Sequence, residues 1–235
     1  MSDSGSESSI FKKAGELQRR MAGEVIACDT EPSKLETVCG FDASYSNGMA
    51  YCSATVIKNH EASGDSFRIL EAIDNQVPTP APYVPGVFML REGPVAIQTI
   101  SKLNTNFDAV MIDGHGLLHP RRCGLACFVG LSLDRPAVGV AKSLLCGKER
   151  QDHFVEYKGE VLGYALEAQG KKLFVSVGHR MSLSTAVLLV EKFIKPGQRS
   201  PEPLRVANER SKQALKLSRI NKNKGLGMPE TRPSR

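Results

Sequence analysis

Three carboxylates frame the chemistry this sequence could perform. Asp42 lies in Cys39-Gly-Phe-Asp-Ala-Ser-Tyr45, inside an apolar run. A charge there is costly unless it is paired or bound to a cation. Asp113 ends Ala109-Val-Met-Ile-Asp113 and precedes Gly114-His-Gly116, where small residues let a ligand come close to backbone. Glu92 stands in Arg91-Glu-Gly-Pro94, just ahead of an expected helix. Each acid has a plain alternative: a turn aspartate facing water, an ordinary Asp-Gly turn, a partner for a helix dipole. Together they suit a hard cation such as Mg2+, which prefers carboxylate oxygens and keeps several waters. Phosphodiester hydrolysis often uses two such ions, about 4 Å apart, on the attacking and leaving oxygens. His179 could move a proton or meet a leaving group. Lys142 could neutralise a phosphate. Taken singly, these two are an ordinary helix-start histidine and a surface lysine.

The elements that must position these residues follow from pattern. Residues 10–25 place Ile10, Ala14, Leu17, Met21 and Val25 at helical spacing. Strand-like runs at 36–45, 49–58 and 66–73 read as an antiparallel meander, with Ser46-Asn47-Gly48 as its first turn. Residues 78–85 carry four prolines and read as a stiff loop. Helices are expected at 93–103, 122–133 and 182–193, with strands at 108–113, 136–141 and 173–178. That alternation predicts a parallel section, so the fold class is an α/β mixed sheet flanked by helices. Asp113 then lies at the carboxyl end of a parallel strand, where open sheets bind ligands, and Lys142 lies at the same edge. His179 is expected to follow its strand and open a helix.

Composition bounds the rest. The chain has 235 residues, 41% hydrophobic and 24% charged, which excludes wholesale disorder, a coiled coil and a collagen-like chain. No apolar run reaches the roughly 18 residues of a membrane span, so no membrane association is expected. The polar start has neither the basic end nor the apolar core of a secretory signal. Six cysteines without a CxxC pair read as free thiols of the cytoplasm or nucleus, the nucleolus included. The formal charge of +6 is concentrated at one end: residues 205–235 sum to +7 and residues 1–204 to −1. A basic tail suits nucleic acid, and equally a solvated end or a nuclear-targeting stretch. Residues 1–9 are expected to be a disordered polar start, 10–207 the catalytic domain, and 208–235 a basic helix with a disordered tail. A monomer is expected.

Two lookalikes fail. His115, His119, Cys123 and Cys127 recur every four residues, but twelve residues of helix rise about 18 Å, too far for one tetrahedral zinc. Gly139-Val-Ala-Lys-Ser143 lacks the spacing of a phosphate-binding loop.

The ordered set Gly40-Phe-Asp-Ala-Ser-Tyr45, Pro82-Tyr-Val-Pro-Gly86, Arg91-Glu-Gly-Pro94, Asp113 through Arg122, Gly139-Val-Ala-Lys142 and Val177-Gly-His-Arg180 resembles the endonuclease V family across residues 10–207. The resemblance implies a ribonuclease H-like fold. It implies hydrolysis of the second phosphodiester bond on the 3′ side of inosine in single-stranded RNA, or of deoxyinosine in DNA, leaving 3′-hydroxyl and 5′-phosphate ends. It implies Mg2+, with Mn2+ as substitute, on Asp42, Glu92 and Asp113. His179 matches the family's active-site histidine and Lys142 a lysine near the scissile phosphate. Tyr83 matches a wedge that fills the space of the displaced base. Val84, Pro85 and Gly86, with Gly114, His119, Gly124 and Leu125, match the surroundings of the hypoxanthine pocket. Base flipping is what an enzyme reading one base in detail requires. His115 is given no role. The acidic, serine-rich start and basic tail look eukaryote-like and favour RNA, with the tail on the phosphate backbone. The rival from another class is a non-cleaving reader of inosine or branched nucleic acid. A junction-resolving nuclease of the same fold is disfavoured by the 82–86 loop.

Overall fold

The computed structural model describes residues 4–29, 35–60, 67–81 and 87–223. Tyr83, Val84, Pro85 and Gly86 lie outside the described residues, as does the tail from 224 on. Helix α1 (Ser4–Ala22) leads into β1 (Thr37–Ser46), β2 (Met49–Asn59) and β3 (Phe67–Pro78). Then come α2 (Met89–Ile100), β4 (Ala109–Asp113), α3 (Leu125–Leu133) and β5 (Ala137–Ala141). The chain continues through β6 (Lys148–Glu149), β7 (Phe154–Tyr157), β8 (Glu160–Ala168), β9 (Lys171–His179), α4 (Leu183–Lys192) and α5 (Glu202–Asn223).

Among the described residues nine strands form one sheet in the order β3-β2-β1-β4-β5-β9-β8-β7-β6. The expected meander is present. Ser46 pairs with Met49, and Asn47 and Gly48 both take positive φ, 49° and 73°, as a tight primed turn requires. β1, β4 and β5 are parallel. β9 is not: it runs antiparallel to β5. The parallel section is therefore three strands wide, and its neighbour enters from the opposite end.

Alternate residues point to opposite faces of a strand. Val38, Met111 and Val140 face α4 and α5, where Leu189, Phe193, Leu204 and Val206 close one core. Cys39, Phe41, Val110 and Ile112 face α2 and α3, where Met89, Val95, Leu125 and Val129 close another. A third cluster joins Met21 of α1 to Leu118, Cys127, Val155 and Phe174.

Several expected boundaries move. α1 already begins at Ser4, within the stretch expected to be disordered. Residues 4–9 hold four serines and Glu7, and an acidic residue in a helix's first turns suits its dipole. α2 starts four residues before 93, which puts Glu92 in its first turn and Pro94 inside the helix. A domain edge at 207 falls inside the first half of α5, which packs on β1 and β2. Strands β6 to β8 went unread. Their signals were Lys158-Gly159 and Gln169-Gly170, all four with positive φ, at the turns that bracket β8. All six cysteines are free. No helix among the described residues is long and apolar enough to cross a membrane.

Candidate active site

The parallel strands bring two acids side by side. Phe41 of β1 is paired with Ile112 of β4, so Asp42 and Asp113 are the next residues on adjacent strands. Glu92 reaches the same place from α2, which packs on the other face. Asp42, Glu92 and Asp113, with Phe41, Phe88, Ile112 and Leu125, line one cavity of about 220 Å³. Burial raises the carboxyl of Glu92, and the neighbouring charges of Asp42 and Asp113 raise it further, to about 8. Arg91 pulls the other way but is stacked on Tyr45, its guanidinium 4.0 Å from the ring centroid. The Tyr45 hydroxyl is buried near Glu92 without completing a hydrogen bond among the described residues.

The other two acids have partners. Lys142 Nζ forms an ion pair with Asp113 Oδ2. Ser211 Oγ donates to Asp42 Oδ2. Among the described residues no three His, Cys, Asp or Glu side chains converge closely enough, as they stand, to enclose a metal ion. The acids share a cavity but are not drawn onto one point.

A second cavity, of about 210 Å³, shares the Phe88 and Leu125 wall with the first. It is lined by Gly114, His119, Gly124 and Leu125, four of the expected base-pocket residues. His119 is buried, and its Nδ1 accepts from the Arg121 backbone N–H at 3.1 Å. Sequence reasoning missed the rest of this lining. Gln18 of α1 is buried there, donating to the Cys123 carbonyl at 2.8 Å and accepting from Arg121 Nε. His115 also lines it, with Nε2 3.0 Å from the Ser143 carbonyl. A carbonyl only accepts, so Nε2 carries the proton. Burial lowers the His115 pKa and keeps the ring neutral.

A third cavity, of about 260 Å³, lies on the α5 side, lined by Asp113, Lys142, Asn208, Glu209 and Lys212 among others. Arg205 is there too but is engaged by Glu202 and Glu209. Lys142 thus bridges the acids and a cleft with a second cation, Lys212.

His179 is not brought to this place. It closes β9 and is paired with Ala137 at the start of β5, whereas Asp113 is paired with Val140 near the end of β5. The antiparallel entry of β9 thus carries His179 to the far end of the sheet. There Nδ1 accepts from the Ile26 backbone N–H at 3.3 Å and Nε2 lies 3.6 Å from Asp134. The helix after it begins only at Leu183, so His179 does not open it.

Comparison with known proteins agrees with this architecture. The endonuclease V family profile matches residues 19–209. Endonuclease V of Thermofilum pendens is 35% identical over 86% of this chain and 88% of its own. Among solved structures, human ENDOV superposes with a TM-score of 0.75 at 29% identity, covering 88% of this chain and 99% of that one. Ciona intestinalis endonuclease V, solved with a DNA containing an inosine followed by a ribo-adenosine, superposes at 0.80 with 26% identity, covering 90% and 99%. The mixed sheet and its flanking helices are a ribonuclease H-like fold, and the chain is a nuclease that belongs to the endonuclease V family.

Proposed function

We propose that this nuclease hydrolyses the second phosphodiester bond on the 3′ side of inosine in single-stranded RNA, and of deoxyinosine in DNA, leaving 3′-hydroxyl and 5′-phosphate ends. One observation carries the reading: a base-sized cavity and a three-carboxylate cavity share one wall, Phe88 and Leu125. A base seated in the first would hold its own backbone near the second. The inosine-containing DNA bound by the Ciona relative supports the choice of base.

The acids fit a divalent cation in kind. All donors are carboxylate oxygens, which suit Mg2+ or Mn2+. The crowding of negative charge that raises Glu92 is what such a cation would relieve. Asp42, Asp113 and Glu92 would hold it, and when bound it supplies Lewis-acid polarisation of the phosphodiester. The protein's own groups do the rest. Lys142 places an ammonium beside Asp113, where it meets phosphate charge. Lys212 adds a second positive charge along the neighbouring cleft. Gly114 and Gly124 line the base cavity without side chains to obstruct it. A close-fitting pocket accepts hypoxanthine and excludes guanine by its extra 2-amino group. Tyr83 would fill the gap left in the stack.

The test is cleavage of end-labelled single-stranded RNA carrying one inosine, beside adenosine RNA and deoxyinosine DNA, with Mg2+ and with EDTA. The expected result is one cut, a nucleotide beyond inosine, only with Mg2+. Asp42→Ala should abolish it and keep inosine binding. Binding without cutting by the unaltered protein would replace the nuclease reading with that of a silent reader.

A further inference from the structure

Helix α5 meets the very face of β1 that carries Asp42. Gly40, Asp42 and Ser44 alternate onto that face. A Cβ on Gly40 would stand 2.2 Å from the Pro203 carbonyl oxygen, so helix and strand touch backbone to backbone. Polar bonds run along the seam. Thr55 Oγ1 donates to the Pro203 carbonyl at 3.2 Å. Arg210 grips Asp74 through Nε and Nη2, at 3.1 and 2.7 Å. Tyr51 Oη and Ser218 Oγ share a hydrogen bond.

Ser211 sits inside this seam with no exposure to solvent. Its Oγ donates to Asp42 Oδ2 and lies 3.0 Å from Ser44 Oγ and 3.1 Å from the Asn208 carbonyl. A hydroxyl has one proton, and carboxylate and carbonyl oxygens alike only accept, so the Ser211 proton is shared between Asp42 and, at 3.1 Å, the Asn208 carbonyl. With that proton directed at these acceptors, the shorter contact being the one to Asp42, Ser44 donates to Ser211. The result is a chain, Ser44 to Ser211 to Asp42, in which each bond polarises the next. Oδ1 of Asp42 takes no hydrogen bond among the described residues, and Asp42 lines the three-acid cavity. Ser53 supplies the contrast. It is paired directly with Asp42 on β2 and buried, yet its hydroxyl has no partner among the described residues. Nearness to Asp42 does not by itself make the bond; the seating of α5 does.

We propose that Ser211 is a positioning residue for Asp42. It fixes one carboxylate oxygen from the helix side and leaves the other for the cavity. The proposal rests on the reading of Asp42 as a working carboxylate of the nuclease. It also makes the last helix a part of the site, although Ser211 and Asp42 are 169 residues apart.

The experiment uses the full chain with Ser211→Ala, Ser211→Thr, Ser211→Cys and Ser53→Ala. It reads kcat and KM on inosine RNA, binding of that RNA, and calorimetric affinity for Mn2+ alone. Ser211→Ala is expected to lower kcat about 10- to 100-fold and to weaken Mn2+ binding, as loss of an outer-sphere partner does. KM and RNA binding should not change. Ser211→Thr restores the hydroxyl and most of the rate, and Ser53→Ala behaves as wild type. If Ser211→Ala fails to fold, Ser211→Cys keeps the seam filled with a weaker donor and should show the same split. Wild-type kcat and Mn2+ affinity in the Ala or Cys variant would overturn the proposal. So would loss of RNA binding in step with kcat that threonine does not restore. A wild-type protein that cuts nothing would sink the nuclease reading instead, while the Mn2+ titration still decides whether Ser211 holds Asp42.

Discussion

Lys142 and Asp113 form an ion pair at the carboxyl ends of two adjacent parallel strands. The ammonium is about half exposed, so it faces the cleft as well as the acid. This gives one lysine two opposing effects. It competes with a divalent cation for Asp113, and it attracts the phosphate that must be cut. Lys142→Met is therefore expected to lower kcat about 100-fold, as loss of one charge-stabilising donor does. The Mg2+ concentration giving half-maximal rate should fall, not rise. A Mg2+ titration of the variant separates the two effects. A parallel fall in rate and in Mg2+ affinity would show that Lys142 props Asp113 rather than meeting phosphate.

Glu92 gives a pH signature in stability. Burial first, and then Asp42 and Asp113, hold its folded pKa near 8 against an ordinary 4.5. The folded state thus keeps a proton that the unfolded state loses first. Its contribution is fully present below about 4.5 and is lost as pH rises towards 8. Without divalent cation, Tm should fall across that window, and Glu92→Gln should flatten the fall. The loss is on the order of a few kcal/mol, discounted for the partial exposure of the side chain. Saturating Mg2+ should restore much of it, because a cation among the acids favours the ionised form. Thermal unfolding at several pH values, with EDTA and with Mg2+, reads both effects.

His179 separates what a motif implies from what the sheet allows. Its Nδ1 accepts from the Ile26 N–H and its Nε2 faces Asp134 across 3.6 Å, at the end of the sheet away from the acids. Burial first, and then Arg180, lower its pKa, so it folds neutral. His179→Gln should keep cleavage within a few-fold of wild type and lower Tm, the loss of stability being about 1–3 kcal/mol for a buried group losing partners. The sign on pH is fixed: wild-type stability is full above the ordinary histidine pKa and is lost below it, and the variant should lack that acid-side slope. Loss of cleavage with unchanged stability would mean that His179 reaches substrate from the far end.

Part of this site could be read from residues alone. Asp42 and Asp113 were legible because each is an acid in or at the end of an apolar strand, and the parallel pairing of β1 and β4 then places them together. The turn at Asn47-Gly48 was legible from the dipeptide. His179 was read at the correct strand end, but a strand's pattern carries no direction. With β9 reversed, its carboxyl end points away from Asp113. Ser211 and Gln18 were illegible for another reason. Their partners, Asp42 and Arg121, are 169 and 103 residues away, and nothing local in a helix marks a side chain for so distant a bond. β6 to β8 were missed because their short runs mix exposed and buried residues irregularly.

The basic end of the chain falls into two parts, one on α5 and one after Asn223. Residues up to 223 belong to α5, which carries Ser211 and Lys212 against the site. Residues 224–235 hold Lys224, Arg232 and Arg235 against Glu230, a net charge of +2. Ending the chain after Asn223 should leave the seam and the cut intact. Backbone affinity should weaken for every sequence alike. The slope of log affinity against log salt should fall by at most about 3, roughly one for each phosphate that a removed cation had neutralised. Ending the chain after Ala207 removes the helix from Asn208 on, and with it the contacts of Ser211, Arg210 and Ser218 to β1, β3 and β2. That shorter chain is expected to lose cleavage and much of its stability together. Binding of inosine and adenosine RNA over a salt series distinguishes the two ends. A change of base preference on removing 224–235 alone would mean that the tail reads the base, not the backbone.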